Sequence, residues 1–286
     1  MLALAVWANF HQVRGERARH AGDSARLLET SITLTLESVE IALLELAERA
    51  RDIAASGGQW HELTDAVNDT LRFSPHIRQI LLAREDRVLF DSRQDEPDVR
   101  RLDRQRLALR AANAGDFNLG LRIGNPLPWR FLPMQGSTPV AGHSRILPVA
   151  LTAAPADAAP VTVYAALNPR FFVSQFDLVE FGEHSGGALL GLDGAPLLSR
   201  PEFAGHWPGA TVAALHRALQ RGGESGFLAL PGNCYPGCQI AYRLSSRYPL
   251  AVLILVDHRD TLAAWWRQNW ALLLGSGLGV AGLVLG

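Results

Sequence analysis

The hydrophobic pattern near the start of the chain predicts one long helix. Residues 14–55 contain no proline, and their only glycines are Gly15 and Gly22. Apolar side chains then recur at steps of four or three residues, which places them on one stripe of a helix. They are Leu28, Ile32, Leu36, Val39, Leu43, Leu46, Ala50 and Ile53. A helix of about 40 residues spans roughly 60 Å, so we expect it to run beside more than one domain. A homodimeric coiled coil is the other, compatible interpretation.

The segment after this helix has the pattern of a small α+β module. Residues 60–73 predict a short amphipathic helix, and the Arg-rich stretch 98–113 predicts a solvated helix. The Pro- and Gly-rich stretch 124–139 predicts a loop. Strand-like runs, the first two forming a hairpin, are expected at 77–83, 88–90, 117–123, 143–150 and 161–167.

A second segment repeats this order of elements. Helices are expected at 169–182, with Pro169 in the first turn, and at 210–220. Asp193-Gly194 is a strong signal for a hairpin turn. Later strands are expected at 226–230, 238–246 and 248–258. The predicted fold class is therefore α+β, with two modules of antiparallel sheet, residues 56–167 and 168–262, on one long helix.

Uncharged apolar segments stand at both ends of the chain. Residues 1–13 are too few to span a bilayer, whereas 270–286 are nearly enough, since a spanning helix needs about 20 apolar residues. We therefore expect 1–13 to be the remnant of a first transmembrane helix and 14–55 to be its stalk. Residues 263–286 would be a juxtamembrane segment and a truncated second transmembrane helix. Arginines flank the inner segment, but long domains translocate largely regardless of charge, so we expect a periplasmic location.

The composition excludes several kinds of chemistry. All 27 basic residues are Arg, and 28 acidic residues give a net charge of −1. Without Lys there is no complete Walker A loop, no Schiff-base lysine and no kinase strand lysine. The near-zero charge argues against nucleic-acid binding. The nine histidines form no HExxH motif, and no nucleophile elbow is complete. We expect no enzyme activity, no metal and no cofactor.

The two cysteines, Cys234 and Cys238, are separated by three residues. A disulfide across this turn fits an oxidising compartment such as the periplasm. Two unconnected small residues in a turn are the alternative. A metal site would need further ligands, and no His lies within eight residues of either Cys.

Five stretches of the chain together resemble the double Cache sensor domain. They are LNPRFF from Leu167, GGALLGLDGAPLLSRP from Gly186, GESGF from Gly223, AYRLSSRYPLAVLILV from Ala241, and TLAAWWRQNW from Thr261. Domains of this family are PAS-like extracytoplasmic modules of bacterial diguanylate cyclases, sensor histidine kinases of two-component systems, and chemoreceptors. The resemblance covers about residues 15–270.

The resemblance implies a periplasmic input region of a membrane receptor. Its membrane-distal module, 56–167, would bind a small molecule, and its membrane-proximal module, 168–262, would pass the signal to a cytoplasmic output domain absent from this chain. A homodimer is expected. The alternative function is a non-catalytic periplasmic module for dimerisation or protein interaction.

The resemblance also implies where the ligand binds. RIGNPLPWRFLP from Arg122 and GHSRILPVAL from Gly142 are similar to the loop and strand that face the family's cavity. The candidate ligand-binding residues are Arg122, Trp129, Arg130, His143, Arg145 and Tyr164. Arg grips a carboxylate with two donors, and Trp closes an apolar wall, so an organic acid or a similar molecule is expected. Each Arg could instead be a surface charge, and the aromatic and His side chains could simply pack.

The aromatic-plus-Arg motif of the amino-acid-binding Cache domains has no clear match in this chain. This departure from the family pattern argues against an amino acid as the ligand.

Overall fold

A long helix forms the common support of the molecule. The computed structural model describes residues 2–93, 100–110, 120–139, 145–153, 160–200, 209–221, 223–230 and 238–270. Helix α1 is continuous over Leu2–Ser56. All eight residues of the predicted apolar stripe are buried in one core that includes side chains of both sheets. The predicted helix beside two modules is confirmed.

The N-terminal module (residues 60–167) is a five-stranded antiparallel sheet with short helices. Its strand order is β2-β1-β5-β4-β3. Its strands are β1 (Ile77–Arg84), β2 (Arg87–Asp91), β3 (Arg122–Ile123), β4 (Leu147–Ala153) and β5 (Val161–Leu167). Its helices are a 3-10 turn (Trp60–Leu63), α2 (Thr64–Phe73) and α3 (Arg104–Leu107). The predicted hairpin of β1 and β2 is confirmed.

The two faces of this sheet have different coverings, because successive strand side chains point to opposite faces. Ile80 and Leu82 of β1 face α1 and join the main core. Leu81 and Ala83 face away from α1 and join a second cluster with side chains from the irregular segments 100–110 and 120–134.

Three predictions for the N-terminal module need correction. The Arg-rich stretch is helical only at Arg104–Leu107 within its described part, 100–110, because Ala108 has a left-handed φ of 44° that ends the helix. It is also not a solvated helix, since Leu102 and Leu107 are buried against the sheet. The described part of the expected strand 117–123 is only two residues long, and the next strand begins at Leu147 rather than 143.

The C-terminal module (residues 169–256) repeats the arrangement with strand order β7-β6-β10-β9-β8. Its helices are α4 (Pro169–Phe176) and α5 (Gly209–Gln220). Its strands are β6 (Gly186–Gly191), β7 (Pro196–Ser199), β8 (Ser225–Leu230), β9 (Cys238–Leu244) and β10 (Leu250–Val256). The hairpin at Asp193-Gly194 is confirmed, and Gly194 has the positive φ, 84°, that the turn requires.

The chain then returns towards the start of α1. Residues 258–270 are helical, and the Trp265 indole Nε1 donates a 2.7 Å hydrogen bond to Asn9 Oδ1. Within the described ranges, no helix combines the length and the apolar character needed to cross a membrane. The predicted second transmembrane helix is therefore not found, and residues 271–286 of it lie outside those ranges.

Candidate binding site on the outer face of the N-terminal sheet

The face of the N-terminal sheet that points away from α1 carries the candidate site. Its buried apolar side chains form one cluster, here called the outer cluster. Its members are Leu81, Ala83, Val88, Leu102, Leu107, Trp129, Leu132, Ile146, Ala150, Tyr164 and Ala166. The cluster contains two of the predicted ligand-binding residues, Trp129 and Tyr164.

Sheet register brings a third predicted residue to the same face. Arg122 of β3 pairs with Ala150 of β4, and Ala150 pairs with Tyr164 of β5. Residues directly opposite each other on neighbouring antiparallel strands share a face. The side chains of Arg122 and Tyr164 therefore both lie on the outer face, with strand β4 between them.

Two polar atoms in the outer cluster are buried without a partner in the described part of the chain. They are the indole Nε1 of Trp129 and the hydroxyl oxygen of Tyr164. An indole N–H only donates, whereas a phenol both donates and accepts. Leaving such a group buried and unpaired costs about 1–3 kcal/mol. Both atoms therefore mark a position where an added acceptor would be stabilised.

Arg122 adds a half-buried positive charge. Its Nη2 donates to Thr152 Oγ1 at 2.6 Å, and this oxygen lies 3.0 Å from Thr162 Oγ1. Burial lowers the pKa of the Arg122 guanidinium, the nearby Tyr164 opposes this effect, and Arg104 adds to it. Within the described ranges no carboxylate lies in ion-pair distance of Arg122.

The other predicted site residues lie elsewhere or outside the described residues. Arg130 is exposed, with its guanidinium 5.5 Å from the centre of its neighbour's ring, Phe131. Arg145 is exposed, and its carbonyl oxygen accepts from Arg78 Nη1 at 3.1 Å. His143 falls in the stretch that the structure does not describe. The surface-charge interpretation fits Arg130 and Arg145.

The covering layer also contributes residues that the sequence did not single out. Arg106 of α3 lies over the indole of Trp129, with 5.4 Å between guanidinium and ring centre. It is held there by Asp103, whose carboxylate lies 2.6 Å from Arg106 Nε. The leucines Leu102 and Leu107 in the Arg-rich stretch were the available signal in the sequence, since the structure buries both against the sheet.

Two cavities of the molecule lie away from the outer cluster. One, of about 620 Å³, is lined by residues that include Trp60, His61 and Asp91. The other, of about 360 Å³, lies between α5 and β8 and includes Arg217 and Tyr242. Both are open to solvent, and Asp91 is already paired with Gln79 Nε2 at 2.8 Å. The unpaired buried donors make the outer cluster the better candidate, although it is closed in this structure.

One cysteine of the predicted disulfide, and part of the chain that could supply metal ligands, lie outside the described residues. Cys238 is buried at the start of β9, but Cys234 lies outside the described residues, so their pairing stays a prediction. In the part of the chain that the structure describes, no group of three or more His, Cys, Asp or Glu side chains could hold a metal ion.

Comparison with known proteins identifies the fold. No protein-family model matches the sequence, and no curated protein matches it. Among solved structures, the extracellular domain of rpHK1S-Z16, described as a histidine kinase, has a TM-score of 0.63 and 18% identity, over 84% of this chain and 94% of that domain. The periplasmic sensory domain of the Campylobacter jejuni chemoreceptor Tlp1 has a TM-score of 0.59 and 9% identity, over 87% and 98%.

The ligand-binding domain of the Pseudomonas aeruginosa amino acid chemoreceptor PctB, in complex with L-arginine, is also similar. Its TM-score is 0.54 and its identity 17%, over 86% of this chain and 97% of that domain. The chain therefore has the fold of these extracellular and periplasmic sensory domains, which is the fold that the sequence resemblance implied.

Proposed function

We propose that this chain is the extracytoplasmic sensing region of a membrane receptor. In this proposal it is not an enzyme, and it binds a small organic acid on the outer face of the N-terminal sheet. The shared fold with sensory domains of histidine kinases and chemoreceptors supports the sensing role. The kind of output domain, whether cyclase, kinase or chemoreceptor, does not enter the proposal.

The observation that carries the proposal is the set of polar groups on one face of one sheet. Trp129 Nε1 and the Tyr164 hydroxyl are buried and unpaired, and the Arg122 guanidinium lies on the same face without a counter-charge in the described ranges. Donors on one face of a buried site favour a ligand with acceptor oxygens, because charge-assisted hydrogen bonds are the strong ones. In this proposal a carboxylate ligand accepts hydrogen bonds from these groups.

The same set argues against a zwitterionic ligand. An amino acid carries an ammonium group, and burying that group requires a paired negative charge. In the described ranges no carboxylate pairs with Arg122. The buried Asp91, which lies opposite Leu81 of the outer cluster, already accepts hydrogen bonds from Gln79 Nε2 at 2.8 Å and from the Arg93 amide at 3.1 Å. PctB was solved with L-arginine and the Campylobacter jejuni chemoreceptor Tlp3 with L-valine, so amino acids are the natural competing ligands for the test.

The geometry of the chain supports an orientation relative to the membrane. Residues 258–270 lie beside the start of α1 through the Trp265–Asn9 hydrogen bond. In our proposal both segments lead towards the membrane, so that the C-terminal module is proximal and the N-terminal module distal.

A ligand screen on the full chain tests the function. Thermal shift and calorimetry would compare acetate, succinate and citrate with amino acids and with putrescine. We expect a carboxylate to bind and Arg122→Ala to weaken it about ten-fold or more, since a lost charged hydrogen bond costs about 1.5–3 kcal/mol. Arg145→Ala is the matched control, because its guanidinium is exposed. Equal effects of the two variants, or no binder in the panel, would contradict the proposal.

A second candidate function rests on the solvent-facing side of α1. Leu27, Leu34 and Ile41 are largely exposed and are seven residues apart, and Leu44 is exposed as well. Apolar residues at this spacing are typical of a helix that packs on a second helix. A homodimerisation module would therefore keep this stripe covered. Sedimentation of the full chain and of Leu34→Glu tests it: dissociation on substitution, together with an empty ligand screen, favours this function.

A further inference from the structure

One side chain of α1 makes hydrogen bonds to both modules at the same time. Glu40 Oε1 accepts the backbone N–H of Leu121 at 3.2 Å, and Leu121 directly precedes β3. Glu40 Oε2 accepts the Tyr248 hydroxyl at 2.7 Å and Arg247 Nη2 at 2.9 Å. Tyr248 and Arg247 lie in the turn between β9 and β10. The two carboxylate oxygens are thus divided between the N-terminal and C-terminal modules.

The Glu40–Tyr248 part of this contact is largely shielded from water, whereas the Arg247 side chain is 51% exposed. The Glu40 side chain is only 14% exposed, and Tyr248 is buried. Burial, followed by the hydrogen bond to Glu40 and its charge, raises the pKa of Tyr248 well above its ordinary value. The phenol therefore stays protonated and keeps donating. In a site of this kind a water molecule does not easily replace a lost partner.

In the N-terminal module, the residue that contacts Glu40, Leu121, directly precedes the shortest strand of the sheet. β3 has two residues and pairs only with β4 among the named strands. It carries Arg122, the charge of the candidate binding site, next to the amide that Glu40 holds. A movement of a short edge strand disturbs few ladder hydrogen bonds, so a pull on Arg122 displaces the Leu121 amide at small cost.

A second polar contact between the modules begins at the same strand. The backbone N–H of Arg110 donates to the carbonyl of Ile123 in β3 at 3.1 Å. The Arg110 side chain bonds Asn125 Oδ1, and its Nε lies 2.7 Å from Asp193 Oδ2 in the turn between β6 and β7. Segment 121–125 is therefore tied to the C-terminal module at two places.

We infer that Glu40 couples the candidate binding site to the C-terminal module, by holding the Leu121 amide with one carboxylate oxygen and the Tyr248–Arg247 turn with the other. Glu40 is a positioning residue in this scheme. A ligand that binds Arg122 shifts β3. This shift changes the position of the Glu40 carboxylate, and the turn between β9 and β10 moves with it. This regulation deepens the proposed sensing function and rests on it for its biological meaning.

Hydrogen–deuterium exchange of the full chain tests the coupling without any ligand. Tyr248→Phe removes one donor from Glu40 in the C-terminal module, and the readout is exchange of the Leu121 amide in the other module. We expect exchange to rise about three- to ten-fold, because a hydrogen bond to a charged group is lost from the anchor. The Leu82 amide of β1 serves as an internal reference for global unfolding and should not change.

A matched control and a background variant make the result specific. Tyr242→Phe also removes a tyrosine hydroxyl from the C-terminal sheet, one that donates to the Gly223 carbonyl instead, and it should leave Leu121 unchanged. In a Glu40→Ala background, Tyr248→Phe should have no further effect on Leu121. The inference would be overturned if Tyr248→Phe left the exchange rate of the Leu121 amide unchanged. It would also be overturned if Tyr248→Phe raised that rate equally in the Glu40→Ala background.

The reverse direction gives an independent reading. Arg122→Ala should raise exchange of the turn at residues 245–250 in the otherwise unchanged chain but not in Glu40→Ala. Because no ligand enters either measurement, an empty ligand screen leaves this result standing. Conversely, a carboxylate that binds while both exchange tests are negative would leave the sensing function intact and remove the coupling.

Discussion

The two sheets share one architecture but differ in what covers their outer faces. The N-terminal sheet is covered by irregular segments with one short helix, α3, and its outer cluster contains the unpaired Trp129 and Tyr164 groups. The C-terminal sheet is covered by the regular helix α5. The apolar cluster on that face, which includes Leu215 of α5, contains Tyr242, whose hydroxyl donates to the Gly223 carbonyl at 3.4 Å.

The helix α5 also carries a buried polar atom without a partner in the described residues, the Thr211 hydroxyl. The irregular covering of the N-terminal sheet leaves two such groups, an indole N–H and a phenol, on the face that carries Arg122. The candidate site thus depends on the covering layer, which supplies Trp129, as well as on the sheet, which supplies Arg122 and Tyr164.

The strongest test of this comparison removes one buried leucine from each covering. Leu215 of α5 and Leu107 of α3 are both fully buried, and Leu→Ala in such sites costs about 2–5 kcal/mol. We expect both variants to lower the free energy of unfolding measured with urea, but only Leu107→Ala to change ligand affinity. An effect of Leu215→Ala on affinity, with the N-terminal module still folded, would show that the two coverings are not separate.

A second test uses the two tyrosines. Tyr164→Phe removes a buried hydroxyl that has no partner, so the free energy of unfolding should stay the same or rise by about 0–1 kcal/mol. Tyr242→Phe removes a paired hydroxyl and should lower it by about 0.5–1.5 kcal/mol. Urea titrations of the ligand-free chain measure both. If Tyr164→Phe is the more damaging change, its hydroxyl is satisfied and the candidate site loses a main support.

A third test concerns alkaline pH and the attachment of the C-terminal module to α1. Burial, followed by Glu40, raises the folded-state pKa of Tyr248. Its stabilising contribution is therefore present below the unfolded value of about 10 and is lost as pH rises above that value. Between about pH 10 and 11.5, the unmodified chain should lose more stability than Tyr248→Phe. Parallel pH profiles of the melting temperature for these two proteins would contradict this.

The smallest effect is expected at the exposed arginine of the N-terminal module. Arg130→Ala should change the free energy of unfolding by less than about 0.5 kcal/mol and leave carboxylate affinity unchanged, in contrast to Arg122→Ala. Calorimetry with the same carboxylate measures the difference. A loss of affinity equal to that of Arg122→Ala would show that Arg130 is a ligand-binding residue.

Periodic segments were predictable from the sequence, and the site was predictable only in part. The stripe of α1 and the Asp193-Gly194 hairpin follow from local periodicity and turn chemistry. The covering layer does not, because it is held by distant partners: Leu132 N–H donates to Gln79 Oε1 at 2.8 Å, and Leu127 bridges to Ile146. Glu40 gave no signal either, since it is one of several glutamates on α1 and its partners are 81 and 208 residues away.

The hydrogen bond between Asn9 and Trp265 joins positions 256 residues apart. It places the beginning of α1 beside the helical residues 258–270, so two neighbouring helices leave the body of the protein at one point. In the proposed sensing function, a change in the modules would reach this point as a difference in height or angle between these two adjacent helices. Spin labels at positions 13 and 268 would measure that difference directly, because sliding of one helix against the other alters their separation while rigid rotation of the whole body does not.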